Sequence, residues 1–147
     1  MSLTERINQD VKQAMKARDK ETLKVLRMLK SALQMEQLEH SEPLNEEQEI
    51  TIIARELKQR KDSLAEFEKA GRQDLVDEVT DEIVVVERYL PKQISEEEIE
   101  VEVRKVMDEL NATSKSDFGK VMGKAMANLK GKADGNLVKE VTKNLLG

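Results

Sequence analysis

Val79-Thr80-Asp81-Glu82-Ile83-Val84-Val85-Val86-Glu87-Arg88-Tyr89-Leu90 is the stretch that could turn this 147-residue chain away from an all-helical fold. At its centre, Ile83 to Val86 are four β-branched residues in a row, a composition that favours strands. The apolar positions around the run decide otherwise. Val79, Ile83, Val86 and Leu90 recur at spacings of four, three and four, which places them on one helix face. The segment is therefore expected to be helix, ended by Tyr89-Leu90-Pro91.

The same spacing extends in both directions. Leu3, Ile7, Val11 and Met15 make a first stripe, with Ser2 and Glu5 spaced as a capping box. Asp19 is placed to cap a second helix carrying Thr22, Leu26, Leu29 and Leu33. The polar break Glu39 to Pro43 ends it, because the residue before a proline is pushed out of the helical region. A third helix starts at Asn45, carries Ile50, Ile53, Leu57, Leu64 and Phe67, and stops at Gly71, which tolerates a left-handed cap. Ser95 and Glu98 open a fifth helix through Ile99, Val103, Val106 and Leu110. After a linker over 111–116 come two shorter stripes: Phe118, Val121, Met122, Ala125 and Leu129, then Leu137, Val141 and Leu145.

Two prolines and 2% aromatics agree with helices throughout. The expected fold is all-α. An N-terminal helical domain of about four helices spans residues 1–93, and a small three-helix domain spans 94–147.

The absence of cysteine excludes disulfides and thiolate zinc sites. No apolar run approaches the roughly 18 residues that cross a bilayer, and the N-terminus has no signal-peptide core. A cytoplasmic protein without membrane partners is the expectation. The single histidine, His40, lies in the polar break and can form neither a Ser-His pair nor a metal ligand set. Glu96, Glu97 and Glu98 complement a helix dipole and do not converge on one spot. Arg55, Lys58, Arg60 and Lys61 interleave with Glu56, Asp62, Glu66 and Glu68, the pattern first of a solvated face and second of a phosphate contact. No catalytic residue, metal or cofactor is expected.

Charge points elsewhere. From Lys115 to the end, seven lysines face three acids, a net +4 on a chain of net −5. Lys120 and Lys124 are four apart, as are Lys139 and Lys143, so each pair shares a helix face. Lys130 and Lys132 lie in the intervening turn, followed by Asp134-Gly135 at a helix start whose N–H donors favour anions. The turn is not a nucleotide loop, since it lacks the second glycine and the hydroxyl after the lysine. Gly119, Gly123 and Ala127 form a small-residue face suited first to close helix packing and second to a phosphate backbone. These six lysines are the candidate nucleic-acid-binding residues.

The chain resembles the YqeY-like family, free-standing relatives of the C-terminal part of the GatB subunit of tRNA-dependent amidotransferase. The resemblance rests on Arg27-Met28-Leu29-Lys30, Lys58-Gln59-Arg60-Lys61-Asp62-Ser63, Ala70-Gly71-Arg72, Asp74-Leu75, Glu82-Ile83 and Tyr89-Leu90-Pro91. Gly119-Lys120-Val121-Met122-Gly123 and Leu129-Lys130-Gly131-Lys132-Ala133-Asp134-Gly135 complete it. It implies a helical domain followed by a three-helix domain, and a role in binding tRNA or other structured RNA. It also implies an inherited carbon–nitrogen ligase label with glutamine as amide donor, for which these residues offer no nucleophile arrangement.

Two functions are therefore expected to compete: a non-catalytic tRNA-binding module, and an adaptor for an aminoacyl-tRNA synthetase or amidotransferase. No DNA partner is expected. Three aromatics are too few for a base-stacking platform, so shape and backbone contact are expected instead.

Overall fold

The computed structural model describes residues 1–147, with seven α-helices, one 3-10 turn and no strand. The chain folds as two compact units, Met1–Pro91 and Lys92–Gly147. In the first, α1 spans Leu3–Ala17, α2 Lys20–Gln37, α3 Glu46–Lys69 and α4 Gln73–Glu87. In the second, α5 spans Glu96–Leu110, a 3-10 turn Lys115–Asp117, α6 Phe118–Asn128 and α7 Gly135–Leu146. No helix is long and apolar enough to cross a membrane.

Local chemistry sets the helix ends. Ser2 and Asp19 accept from the amides of Glu5 and Thr22, and Asn45 with Gln48 and Ser95 with Glu98 form reciprocal capping boxes. At the close of α3, Gly71 takes a φ of 68°, and the Arg72 amide turns back to the Phe67 carbonyl. The β-branched run is helical. Ile83, Val85 and Val86 are buried while Val84 is exposed, the angular sequence of a helix and not the alternation of a strand.

Each unit has its own core. Ile7, Leu26, Leu29, Leu33, Ile53 and Val86 centre the first; Ile99, Val103, Val106, Val121, Ala125 and Val138 centre the second. Strict spacing of four overshoots the 3.6-residue turn, and the buried face corrects for it. Ala14 replaces Met15 in the core of α1, and Val138 with Leu146 lie deeper than Leu137 and Leu145 in α7. In α3, Ile52 is buried beside Ile53, and Ile50 packs half-buried against the same core.

Two charged residues lie within the first unit's core. Glu49 is 2% exposed, and its Oε2 accepts from the Thr4 amide at 2.8 Å and the Thr4 hydroxyl at 2.6 Å. It thus caps α1 from α3, where a carboxylate also complements the helix dipole. Arg60 is 6% exposed, so the expected solvated face fails at this position. The reason is periodic: Ile53, Leu57 and Arg60 are spaced by four and then three residues, on the same inward stripe. Its Nη1 donates to the Glu56 carbonyl at 3.1 Å, and Glu56 and Glu82 each place a carboxylate oxygen 3.4 Å from the guanidinium.

Candidate nucleic-acid interface

The approach to α6 is tightly specified. Asn111 ends α5 in the left-handed region, and the Asp117 carboxylate accepts from the amides of Thr113 and Ser114 at 3.0 and 3.3 Å. Those two backbone donors hold the Asp117 carboxyl below the usual carboxylate range. Val121, Ala125 and Leu129 then face the core, which turns Lys120 and Lys124 outward.

Lys124 is not left to solvent alone. It forms a salt bridge with Glu109 of α5, and this pairing holds the Glu109 carboxyl below its ordinary range. Gly119, Gly123 and Ala127 are exposed beside the two lysines, and nothing lies within 4 Å of a Cβ built at either glycine. The close packing expected first for this face therefore has no helix to serve within the chain.

The turn after α6 is pinned from outside its own sequence. Gln93 Nε2 donates to the Gly131 carbonyl at 2.6 Å, and the Ile94 amide donates to the Lys132 carbonyl at 3.0 Å. Within the turn, the Lys132 amide reaches the Leu129 carbonyl, and Gly131 adopts a φ of 76° that favours glycine. Lys130 and Lys132 are thereby carried on a backbone held at consecutive carbonyls. At the start of α7, the Asp134 carboxylate accepts from the Asn136 amide at 2.9 Å. One of the N–H donors expected to meet an anion is thus taken, and a negative charge stands beside it. Gly135 packs close to α6: a Cβ there would meet the Met126 methyl at 3.3 Å, so that side chain would have to give by a few tenths of an ångström.

Lys139 and Lys143 are exposed on α7, whose buried side carries Val138, Val141, Thr142 and Leu146. The six lysines thus form three groups in chain order: a pair outward on α6, two on the pinned turn, and a pair on α7. Sequence reasoning missed Gln93 and Glu109, which act on this region from the segment before α5 and from α5's last turn. Neither carries a local signal, since both partnerships are long-range. No cluster of three or more metal-ligating side chains occurs in the chain.

The family described as Yqey-like protein matches residues 4–146, and the chain belongs to that family. Among similar proteins is the Altered inheritance of mitochondria protein 41, mitochondrial, of Kluyveromyces lactis, 32% identical over 82% of this chain and 69% of the relative. Its namesake from Pyrenophora tritici-repentis is 26% identical over 97% of this chain and 80% of the relative. That of Lachancea thermotolerans is 31% identical over 75% and 60%. These relatives are named as mitochondrial proteins, which overturns the expectation of a cytoplasmic protein. An apolar signal core marks secretory segments alone; organellar targeting segments are amphipathic and lack such a core, so that criterion does not bear on a mitochondrial location.

Proposed function

We propose that this YqeY-like protein is a non-catalytic RNA-binding module that grips tRNA or another structured RNA by its phosphates. One observation carries the reading: Lys130 and Lys132 sit on a turn whose backbone is fixed by Gln93 and Ile94. A preorganised pair of cations loses less freedom on meeting a polyanion than the same lysines on a loose loop. The exposed small face of α6 adds room for a backbone to approach beside Lys120. Base reading is not supported, because Tyr89 is buried and Phe67 and Phe118 are partly buried.

The test is tRNA binding by the full chain across a salt series. Affinity is expected in the weak range, with Kd on the order of 10⁻⁴–10⁻⁶ M by analogy with non-specific DNA binding. Replacing Lys130 and Lys132 by alanine is expected to weaken binding and flatten the log–log salt slope by about 2, roughly one for each phosphate no longer neutralised. Unchanged affinity with an unchanged slope would remove the turn from the interface. Mixed with Glu-tRNA(Gln), glutamine and ATP, the purified chain is expected to form no Gln-tRNA(Gln). Sustained turnover would refute the non-catalytic assignment.

A further inference from the structure

The first unit carries a basic surface of its own. Between Val11 and Met35, seven basic side chains face only Asp19 and Glu21, a net +5. The rest of that unit holds eight basic residues against eighteen acids. The basic segment is the end of α1 and most of α2, two helices that pack together across the Arg18-Asp19 turn as an antiparallel hairpin.

Periodicity sorts these cations. Ile7 and Ala14 face the core from α1, and Leu26, Leu29 and Leu33 from α2. Lys12 and Lys16, four apart, and Lys20 and Arg27, seven apart, therefore point to solvent, and all four are exposed. No carboxylate lies within salt-bridge distance of any of them, whereas Lys24, Lys69 and Arg72 are met by Glu78, Glu66 and Asp74. The two acids of the segment do not neutralise the ridge. Asp19 accepts from the Thr22 amide at the start of α2, where the helix dipole already offsets its charge, and Glu21 lines the depression between α2 and α4.

Arg18 adds an observation independent of the charge count. It closes α1 at φ 56° and ψ 32°, in the left-handed region. Asn111, of a residue type that tolerates this region, is the only other non-glycine residue with positive φ. Glycine would fit this cap without strain; the chain instead places an exposed guanidinium at the hairpin's tip.

We propose that Lys12, Lys16, Arg18, Lys20 and Arg27 form a second phosphate-binding surface, wholly within the first unit, for the backbone of structured RNA. The inference rests on reading the chain as an RNA-binding module and extends that reading beyond the lysines of the second unit. It also gives the Arg27-Met28-Leu29-Lys30 motif a division of labour: Leu29 fills the core, Met28 meets the Arg60 Nη2, and Arg27 is left outward. An anionic bilayer is the competing polyanion. From Lys12 to Gln34 the exposed large apolar side chains are Met15 and Met28 alone, and an interfacial helix needs a continuous apolar face.

The test measures binding of the full chain to bulk tRNA across a salt series, with amide NMR shifts locating the contact. Lys16→Ala with Arg27→Ala is expected to weaken binding roughly tenfold at about 0.1 M salt and to flatten the log–log slope by about 2. The exposed pair Lys69→Ala and Arg72→Ala removes the same charge from the same unit and is expected to stay within about twofold. Equal weakening by both pairs, an unchanged slope in the ridge pair, or amide shifts confined to the second unit would each overturn the proposal. Lys130→Ala with Lys132→Ala, run beside them, separates the two surfaces. An effect of that turn pair alone overturns the ridge and leaves the turn in place, and an effect of the ridge pair alone does the reverse. No saturable tRNA binding by the parent chain overturns both. Vesicles of phosphatidylcholine and phosphatidylglycerol complete the set: vesicle binding abolished in the ridge pair, with tRNA binding unchanged, would assign the ridge to a membrane and overturn the proposal.

Discussion

Replacing Arg60 by methionine is expected to lower the unfolding free energy of the first unit by about 3–5 kcal/mol, the cost of stripping a buried ion pair of one partner. The side chains of Glu56 and Glu82 are only 16% and 20% exposed, so their charges cannot be handed back to water without moving α3 or α4. The methionine itself is apolar and close in length, so the loss arises from the stranded carboxylates and not from a cavity. A second substitution, Glu82→Leu, is therefore expected to restore part of the stability in the Arg60→Met background, because it removes a charge that has lost its partner. Urea unfolding followed by circular dichroism reads both effects. A loss under about 1 kcal/mol, the usual worth of an exposed pair, would show that Arg60 is solvated after all.

Arg60 also marks where reading the chain as a sequence stops working. Its neighbours Glu56, Lys58, Lys61 and Asp62 are charged, and the local pattern is that of a solvated helix face. Lys58 does behave so, pairing with Asp62 at 2.9 Å on the surface. What the pattern hides is that position 60 continues the stripe of Ile53 and Leu57, so geometry buries whatever residue stands there. Glu49 is hidden in the same way, four residues before Ile53, and its partner Thr4 lies 45 positions away. Helices, their caps and the helical state of Ile83 to Val86 were legible because their causes are local. The exact buried face was legible only to within one residue, since a spacing of four drifts from the true turn.

The candidate interface divides along the same line. Its lysines and the glycine in the turn are visible as composition, and the left-handed φ of Gly131 follows from the residue type. That the turn is pinned by Gln93 and Ile94, and that Glu109 holds Lys124, depends on how α5 packs beside α6. No spacing within residues 115–147 encodes either interaction.

Tyr89, the chain's single tyrosine, offers a second measurement of large effect. It is 4% exposed, its hydroxyl donates to the Asp10 carboxylate, and the Arg6 guanidinium lies 5.1 Å from its ring centroid. Burial first, and then the bond to the negative Asp10, push its pKa well above the ordinary phenol value. The folded protein therefore keeps the proton that the unfolded chain releases near pH 10. The sign follows: this contribution is complete below about pH 10 and is lost as pH rises towards the folded value, at up to ~1.4 kcal/mol per pH unit. At neutral pH, Tyr89→Phe is expected to cost about 1.5–3 kcal/mol, the worth of a hydrogen bond to a charged acceptor. Above pH 10 the parent should lose stability faster than Tyr89→Phe, so the gap between them narrows. Lysine titration is common to both proteins and cancels in that difference. Because no other tyrosine is present, phenolate absorbance during a pH titration reports on Tyr89 alone. Ionisation of the folded protein near pH 10, with a constant stability gap to Tyr89→Phe, would show that the hydroxyl is neither desolvated nor held by Asp10.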